Sequence, residues 1–305
     1  MATMRDVRRR IRTVRNIQEI TKALKMVAAA RLQKAESRAK AARPYAEEMA
    51  LVMGHLALAS RDAEVSHPLL EVREPVNLGI LVITSDRGMA GSYNTNVIRK
   101  VMEIAAPHGR ENVKIIALGK KGRAVLSKQG YNVAADYQMP SSEIDINDAR
   151  QISRLMRSMF EAGEIDLARM VYTRFHSAIS QRVTDEQFLP VEPPGVMHQA
   201  GTLAALMGRA DVPAENSAAD VGYIFEPEPA VLLGDLLPRY ADVAVYRAML
   251  EALASEHGAR MTAMSTATDN AHEMIERLTL DYNRARQAAI TRELIEIVSG
   301  AEALK

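Results

Sequence analysis

The sequence predicts an α/β protein joined to a long antiparallel α-helical coiled coil, the coiled coil being formed by the N- and C-terminal segments. Three observations predict it. Heptad-spaced apolar and alanine positions run along both ends, and strand-length apolar runs alternate with helical patterns between them. Aromatic content is only 4%, with no Trp, whereas Met reaches 17. That balance favours long, closely packed helices over one large globular core. A chain of 305 residues has room for two domains.

Residues 1–62 read as the N-terminal coiled-coil helix. Ile17, Ile20, Leu24 and Val27 step by three, four and three. From Ala28 the register continues through Leu32, Ala35, Ala39, Ala42, Ala46, Met49, Met53 and Leu56. This alternation of fours and threes is a coiled-coil seam, and its alanine knobs let a partner backbone come close. Pro44 lies inside the pattern. An interior proline costs about 3 kcal/mol and predicts a bend or break near Arg43. A helix from residue 4 to 60 would be about 85 Å long at 1.5 Å per residue, too long for one small domain to bury.

The second long helix is expected to begin near Arg239. Its seam reads Met261, Met264, Thr268, Ala271, Ile275, Leu278, Tyr282, Ala285 and Ala289. Two distant heptad seams pair most simply with each other, antiparallel across the middle of the chain. The alternative is two separate amphipathic helices covering a globular core.

Charge is distributed to match. Net charge is only +1, yet residues 1–43 carry 13 Lys and Arg against Asp6, Glu19 and Glu36. Residues 241–305 carry seven basic and ten acidic groups. Ends of opposite bias suit segments that lie together or face an outside partner. The arginines of residues 1–43 raise a nucleic-acid reading, but no aromatics interleave them and their apolar stripe already needs a protein partner. No nucleic acid is therefore expected as a partner.

Residues 75–195 read as an α/β domain. "VNLGILVITSDRG" and "NVKIIALG" are buried strands, and "DLARMVYTRF" and "SQRVTDEQFLPV" are further strands. "NTNVIRKVMEIAA", "KKGRAVLSKQG" and "IDINDARQISRLMRSMFEAG" have helical spacing. Alternation of strand and helix predicts a mainly parallel sheet. Residues 191–222 are rich in Pro, Gly and Ala, and the connection proper is assigned to 196–222, with one short helix in "GTLAALMGRA". Residues 223–305 then hold a foot and the C-terminal helix. The foot is "YIFEPEPAVLLGDLLPRY", Tyr223–Tyr240, where Glu226 and Glu228 stand among prolines. It reads as a rigid docking wedge, with an ordinary turn as the alternative.

Catalytic chemistry finds little support. The chain has no Cys, which excludes disulfides, thiolate metal sites and cysteine nucleophiles. The histidines, His55, His67, His108, His176, His198, His257 and His272, show no ligand spacing near a carboxylate, so no metal is expected. "SDRGMAGSYN", Ser85–Asn94, follows a strand and opens a helix, where phosphate loops sit. It lacks the Walker lysine and the three-glycine dinucleotide fingerprint, so a structural turn is preferred to a nucleotide site. No cofactor is expected. The N-terminal stretch has no apolar core of a secretory signal, and nothing approaches eighteen uninterrupted apolar residues.

One feature requires a partner. "ARQAAITRELIEIVSGAEAL", residues 285–304, is dominated by alanine and branched aliphatics, with Arg286 and Arg292 as its cations. Here the pieces resemble a family. Ile290, Thr291, Glu293, Glu296, Gly300 and Ala301 stand in the spacing I-T-x-E-x-x-E-x-x-x-G-A. That is similar to the signature of the gamma subunit of F-type ATP synthase. "IRTVRNIQEITKALKMVAAARL", "RPYAE", "SDRGMAGSYN" and "YNRARQAAIT" resemble the same family in the same order.

The resemblance implies a Rossmann-like central domain beside the coiled coil. It also implies a central rotating shaft that couples proton or sodium flow to ATP synthesis or hydrolysis. The implied partners are three alpha and three beta subunits, the epsilon subunit and the membrane c-ring, at the cytoplasmic face of a bacterial inner membrane. The chain would then be a non-catalytic subunit whose oily tail turns inside an alpha/beta sleeve. By resemblance Arg286 and Gln287 catch a loop of beta, with Thr291 and Glu293 in the same region. Lys22, Leu24 and Lys25 would face an acidic lever of beta, and Tyr223, Glu226 and Glu228 would form the foot that meets the ring and epsilon. Ala289 departs from the hydroxyl expected in many members, and the absence of a cysteine pair leaves no thiol-regulated switch.

Overall fold

The computed structural model describes residues 4–59, 67–140, 143–192 and 225–302. Tyr223, the 196–222 connection and the short helix expected in it lie outside the described residues. The chain forms two compact units, residues 1–30 with 260–305, and residues 31–259.

The smaller unit is helical. It takes the first turns of α1 (Met4–Ala59) and the end of α5 (Pro229–Glu302). Arg8 donates to the Tyr282 hydroxyl at 2.8 Å, the Thr21 and Thr268 hydroxyls are 2.8 Å apart, and Lys25 donates to Ser265 at 3.0 Å. As one residue number rises the other falls, so the pair is antiparallel. Every position of the expected C-terminal seam, from Met261 to Ala289, is buried or half-buried.

The N-terminal seam differs from expectation before Ala28. Ile17, Ile20 and Val27 are 48%, 59% and 50% exposed, and Leu24 is half-buried. Instead Val7, Thr21, Ala28 and Ala35 are buried and Val14 is half-buried, a strict seven-residue repeat. The apolar residues of residues 17–27 support two registers. Pairing with Thr268 selects the one that contains a threonine, because the two hydroxyls satisfy each other.

The break near Pro44 does not occur, and α1 continues through it. Pro44 and Lys40 are both exposed, so the Lys40 carbonyl that loses its amide partner is open to water. Burial on both flanks, at Leu32, Ala35, Met53 and Leu56, holds the helix together. The second long helix begins ten residues before Arg239, at Pro229. Proline at the first helical position lacks only an amide that would be unpaired there anyway. The Glu228 carbonyl accepts from the Val231 and Leu232 amides at 3.0 and 3.1 Å. Pro238 is carried inside the helix because Leu233, Leu237 and Ala241, at 2%, 0% and 1% exposure, anchor both sides of it.

The larger unit is built on a five-stranded sheet of order β3-β2-β1-β4-β5. The strands are β1 (Leu78–Ile83), β2 (Val113–Leu118), β3 (Asn132–Tyr137), β4 (Leu167–Phe175) and β5 (Gln181–Leu189). All pairs are parallel except β4 with β5, as in a Rossmann-like layer closed by one antiparallel edge. β3 was not legible in the sequence. It alternates exposed and half-buried residues at the sheet edge and offers no apolar run.

β1 is central and buried at every residue. Leu78, Ile80 and Val82 point to one face, where Val97, Ile98 and Val101 of α2 (Tyr93–Ala105) and Leu126 of α3 (Lys120–Lys128) complete a core. Helix α4 (Ile146–Glu161) buries Ala149, Ile152, Ser153, Met156, Met159 and Phe160, a stripe of three- and four-residue steps. Asp145 starts it by accepting from the Asn147 amide at 2.9 Å, and Asp148 returns a capping-box bond.

Residues 248–257 of α5 are buried around the whole helix. The Tyr93 hydroxyl donates to the Ala252 carbonyl at 3.2 Å, and Ser255 donates to the Thr173 carbonyl at 2.9 Å. A charge-balanced cluster fixes the same contact. Glu186 accepts from Arg247 at 2.8 Å and pairs closely with Arg174, whose Nε lies 3.6 Å from Glu251.

Burial raises the Glu251 carboxyl above its ordinary 4.5, against the pull of Arg247 and Arg174. The folded state therefore holds this proton more tightly than the unfolded state. The stabilising contribution is full below the unfolded pKa and is lost as pH rises through the folded one. Glu251→Gln is expected to match the parent in urea midpoint near pH 4 and to exceed it at pH 7. Equal differences at both values would show that Glu251 does not titrate with folding.

Candidate partner-binding surface

The surface that needs a partner lies on the helical unit. By the pairing of Arg8 with Tyr282, Met4 stands opposite residue 286, so residues 287–302 of α5 run on past the described start of α1. At 1.5 Å per residue this is about 24 Å of helix. Ile290, Leu294, Ile295, Ile297 and Val298 are 49%, 57%, 60%, 68% and 65% exposed along it. Large aliphatic groups repeated in this way on a single helix make a continuous apolar surface, which in a soluble assembly marks a contact site.

The residues expected at this end are exposed. Arg286, Gln287, Thr291 and Glu293 all lie on the surface of α5. On α1, Lys22 and Lys25 are exposed and Leu24 is half-buried, with Lys25 bonded across the pair to Ser265. The side chain of Glu296 and those beyond Ser299 lie outside the described ones. Glu226 and Glu228 belong to the other unit, both exposed at the start of α5.

A further band escaped the sequence reading. Ile17, Ile20, Met26 and Val27 are 48–62% exposed on α1, and Met274 and Leu280 are 52% and 60% exposed on α5. Counting back from Ala28 in sevens to Thr21, Val14 and Val7 would have turned Ile17 and Ile20 outward.

The Ser85–Asn94 loop does not resemble an open phosphate cradle. The Asn94 Oδ1 accepts from the Ser85 amide at 2.9 Å, and the Ser85 hydroxyl donates to the Arg87 carbonyl at 2.6 Å. Met89 and Gly91 turn the chain at φ 64° and 56°. Asp86 accepts from the Lys120 amide at 2.9 Å, so the start of α3 already holds a carboxylate. The loop's polar groups tie the ends of β1 and β2 to their helices.

Comparisons with known proteins match the chain over its whole length. Residues 3–304 match the family model described as ATP synthase. The ATP synthase gamma chain of Heliobacterium modesticaldum is 45% identical over 309 residues, covering 100% of both chains. That of Moorella thermoacetica is 44% identical over 305 residues, again covering 100% of both. Among solved structures, a chain of the Tetrahymena thermophila mitochondrial ATP synthase central stalk and c-ring is 25% identical, with a TM-score of 0.58 over 81% of this chain and 99% of that one. A chain of the Euglena gracilis mitochondrial ATP synthase matches at TM-score 0.66 and 21% identity over 99% and 94%.

Proposed function

Because the chain belongs to the ATP synthase gamma-chain family, we propose that it is the rotating central shaft of an F-type ATP synthase. Its apolar tip turns within a sleeve of three alpha and three beta subunits, and its foot engages the epsilon subunit and the membrane c-ring. Ion flow through the ring turns the shaft, and the shaft drives ATP synthesis or hydrolysis on beta. The chain contributes no catalytic site and acts from the cytoplasmic face of a bacterial inner membrane. No helix of the described residues is long and apolar enough to cross a membrane.

The observation that carries this reading is the exposed aliphatic row from Ile290 to Val298. A bearing surface must turn without deep angular wells. Aliphatic contacts are non-directional, whereas each ion pair or hydrogen bond favours one angle. Arg286, Gln287, Thr291 and Glu293 supply the few directional contacts on the sleeve, and Lys22, Leu24 and Lys25 meet an acidic lever of beta. Tyr223, Glu226 and Glu228 hold the foot, where slip must be prevented. Turning the shaft changes which beta subunit it contacts, and each site's nucleotide affinity follows by differential contact. In this division of labour residues 1–62 and 223–305 carry shaft and foot, and residues 75–195 are the side domain.

The absence of native cysteine permits a direct test. A photoreactive thiol reagent on Leu294→Cys in the assembled complex is expected to join alpha or beta. The same reagent on Glu226→Cys is expected to join epsilon or the c-ring. Exchange of these two product sets, or labelling of neither, would overturn the assignment. Leu24→Lys places a third cation beside Lys22 and Lys25, and it is expected to lower ATP-driven ion pumping several-fold while the complex stays assembled. Unchanged pumping per ATP hydrolysed would remove Leu24 from the coupling surface.

A further inference from the structure

A cleft of about 1120 Å³ opens in the larger unit between α1, the start of α4 and the first part of α5. Its chemistry is unbalanced. Arg38, Arg150, Arg154, Arg239 and Arg247 line it, against Glu143, Asp145 and Asp242. All three carboxylates are already engaged. Glu143 takes Arg38 at 2.6 Å, Asp145 caps α4, and Asp242 is shared between Arg157 at 3.2 Å and Arg150 at 3.8 Å. Arg247 is held by Glu186 at 2.8 Å. Arg154 and Arg239 form no ion pair within 4 Å among the described residues, and Arg150, which donates to Asn147 Oδ1 at 3.1 Å, has only the long contact to a carboxylate that Arg157 already holds. Tyr45 and Tyr246 line the same cleft.

Guanidinium groups recognise phosphate through paired, planar hydrogen bonds, and they stay charged at every working pH. Aromatic side chains in the same cleft provide surface for a planar base. The volume lies slightly above the usual range of small-molecule sites and exceeds what an inorganic anion fills. We propose that this cleft binds a nucleoside polyphosphate, its phosphates held by Arg154, Arg239 and Arg150 and its nucleoside packed between Tyr45 and Tyr246. The site is separate from the Ser85–Asn94 loop, and it lies on a chain whose proposed work is done beside nucleotide-processing subunits. Occupancy would neutralise a cluster of cations between two long helices and α4.

The test uses the full chain without alpha and beta, whose own nucleotide sites would mask the signal, and titrates it with ADP by calorimetry. ADP is expected to bind with an affinity that falls as salt rises, and adenosine is expected not to bind. Arg154→Ala with Arg239→Ala is expected to weaken ADP by about tenfold for each arginine. Arg123→Ala, whose Asp136 partner lies outside the cleft, is expected to bind ADP as the parent does. Circular dichroism melting of each variant reports that it is folded. The proposal is overturned if ADP fails to bind, if the double variant binds ADP unchanged, or if adenosine or a poly-glutamate peptide binds as tightly as ADP.

Discussion

Deleting residues 286–305 is expected to weaken the assembled complex by on the order of 100-fold while leaving the larger unit folded. The five large aliphatic groups of the tip are 49–68% exposed in the chain by itself. Burying the exposed half of each in a sleeve is worth about 1 kcal/mol. The sum is several kcal/mol, of which part is lost to ordering and imperfect fit. About 3 kcal/mol surviving corresponds to the stated factor. None of the deleted residues belongs to the 31–259 unit, so its cooperative unfolding transition should persist. Mass photometry of the diluted complex reads the first quantity and circular dichroism the second. An undiminished complex would show that the tip is not seated in a sleeve, and a lost transition would show that the two units fold as one.

Gly119→Ala is expected to cost more than about 3 kcal/mol of folding stability, or to prevent folding. Gly119 turns the chain from β2 into α3 at φ 104°, a conformation that side-chain-bearing residues avoid. An added Cβ would stand 2.2 Å from the Thr84 carbonyl oxygen and 2.6 Å from its carbon. Those are backbone atoms and cannot step aside. The Thr84 amide donates to the Leu118 carbonyl at 2.8 Å, and the Gly119 amide donates to the Tyr137 carbonyl at 2.9 Å. Three adjacent strands are pinned at that point. Gly88→Ala is the control, because nothing lies within 4 Å of its added Cβ, and its cost should stay near zero. Urea unfolding of both variants checks the contrast. Equal stability would mean that the β2–α3 turn is not close-packed.

The two variants probe different kinds of information. The tip is written in consecutive residues, since a run of aliphatics at helical spacing can be recognised from composition and spacing. The Gly119 turn is invisible in the sequence, where Gly119 is only the residue between a strand pattern and the helical pattern of "KKGRAVLSKQG". Only the approach of Thr84 from the neighbouring strand makes glycine obligatory there. The arginine cleft is similar, because Arg38, Arg150 and Arg239 are far apart in the chain and no local pattern joins them.

From its sequence alone, this chain determined two heptad-bearing ends, an alternating strand–helix middle, an unpartnered aliphatic tail and a set of motifs resembling one family. These are short-range properties, set by periodicity of three and a half residues or two and by side-chain type. Tertiary structure decided the rest. It chose between two overlapping registers at residues 17–28, because Thr21 found Thr268. It kept α1 and α5 continuous through Pro44 and Pro238, because burial on either side offsets one missing hydrogen bond. It also placed β3 at the edge, where pairing with β2 substitutes for an apolar pattern of its own. In each case the deciding energy comes from a residue distant in the chain, and no window of local sequence contains it.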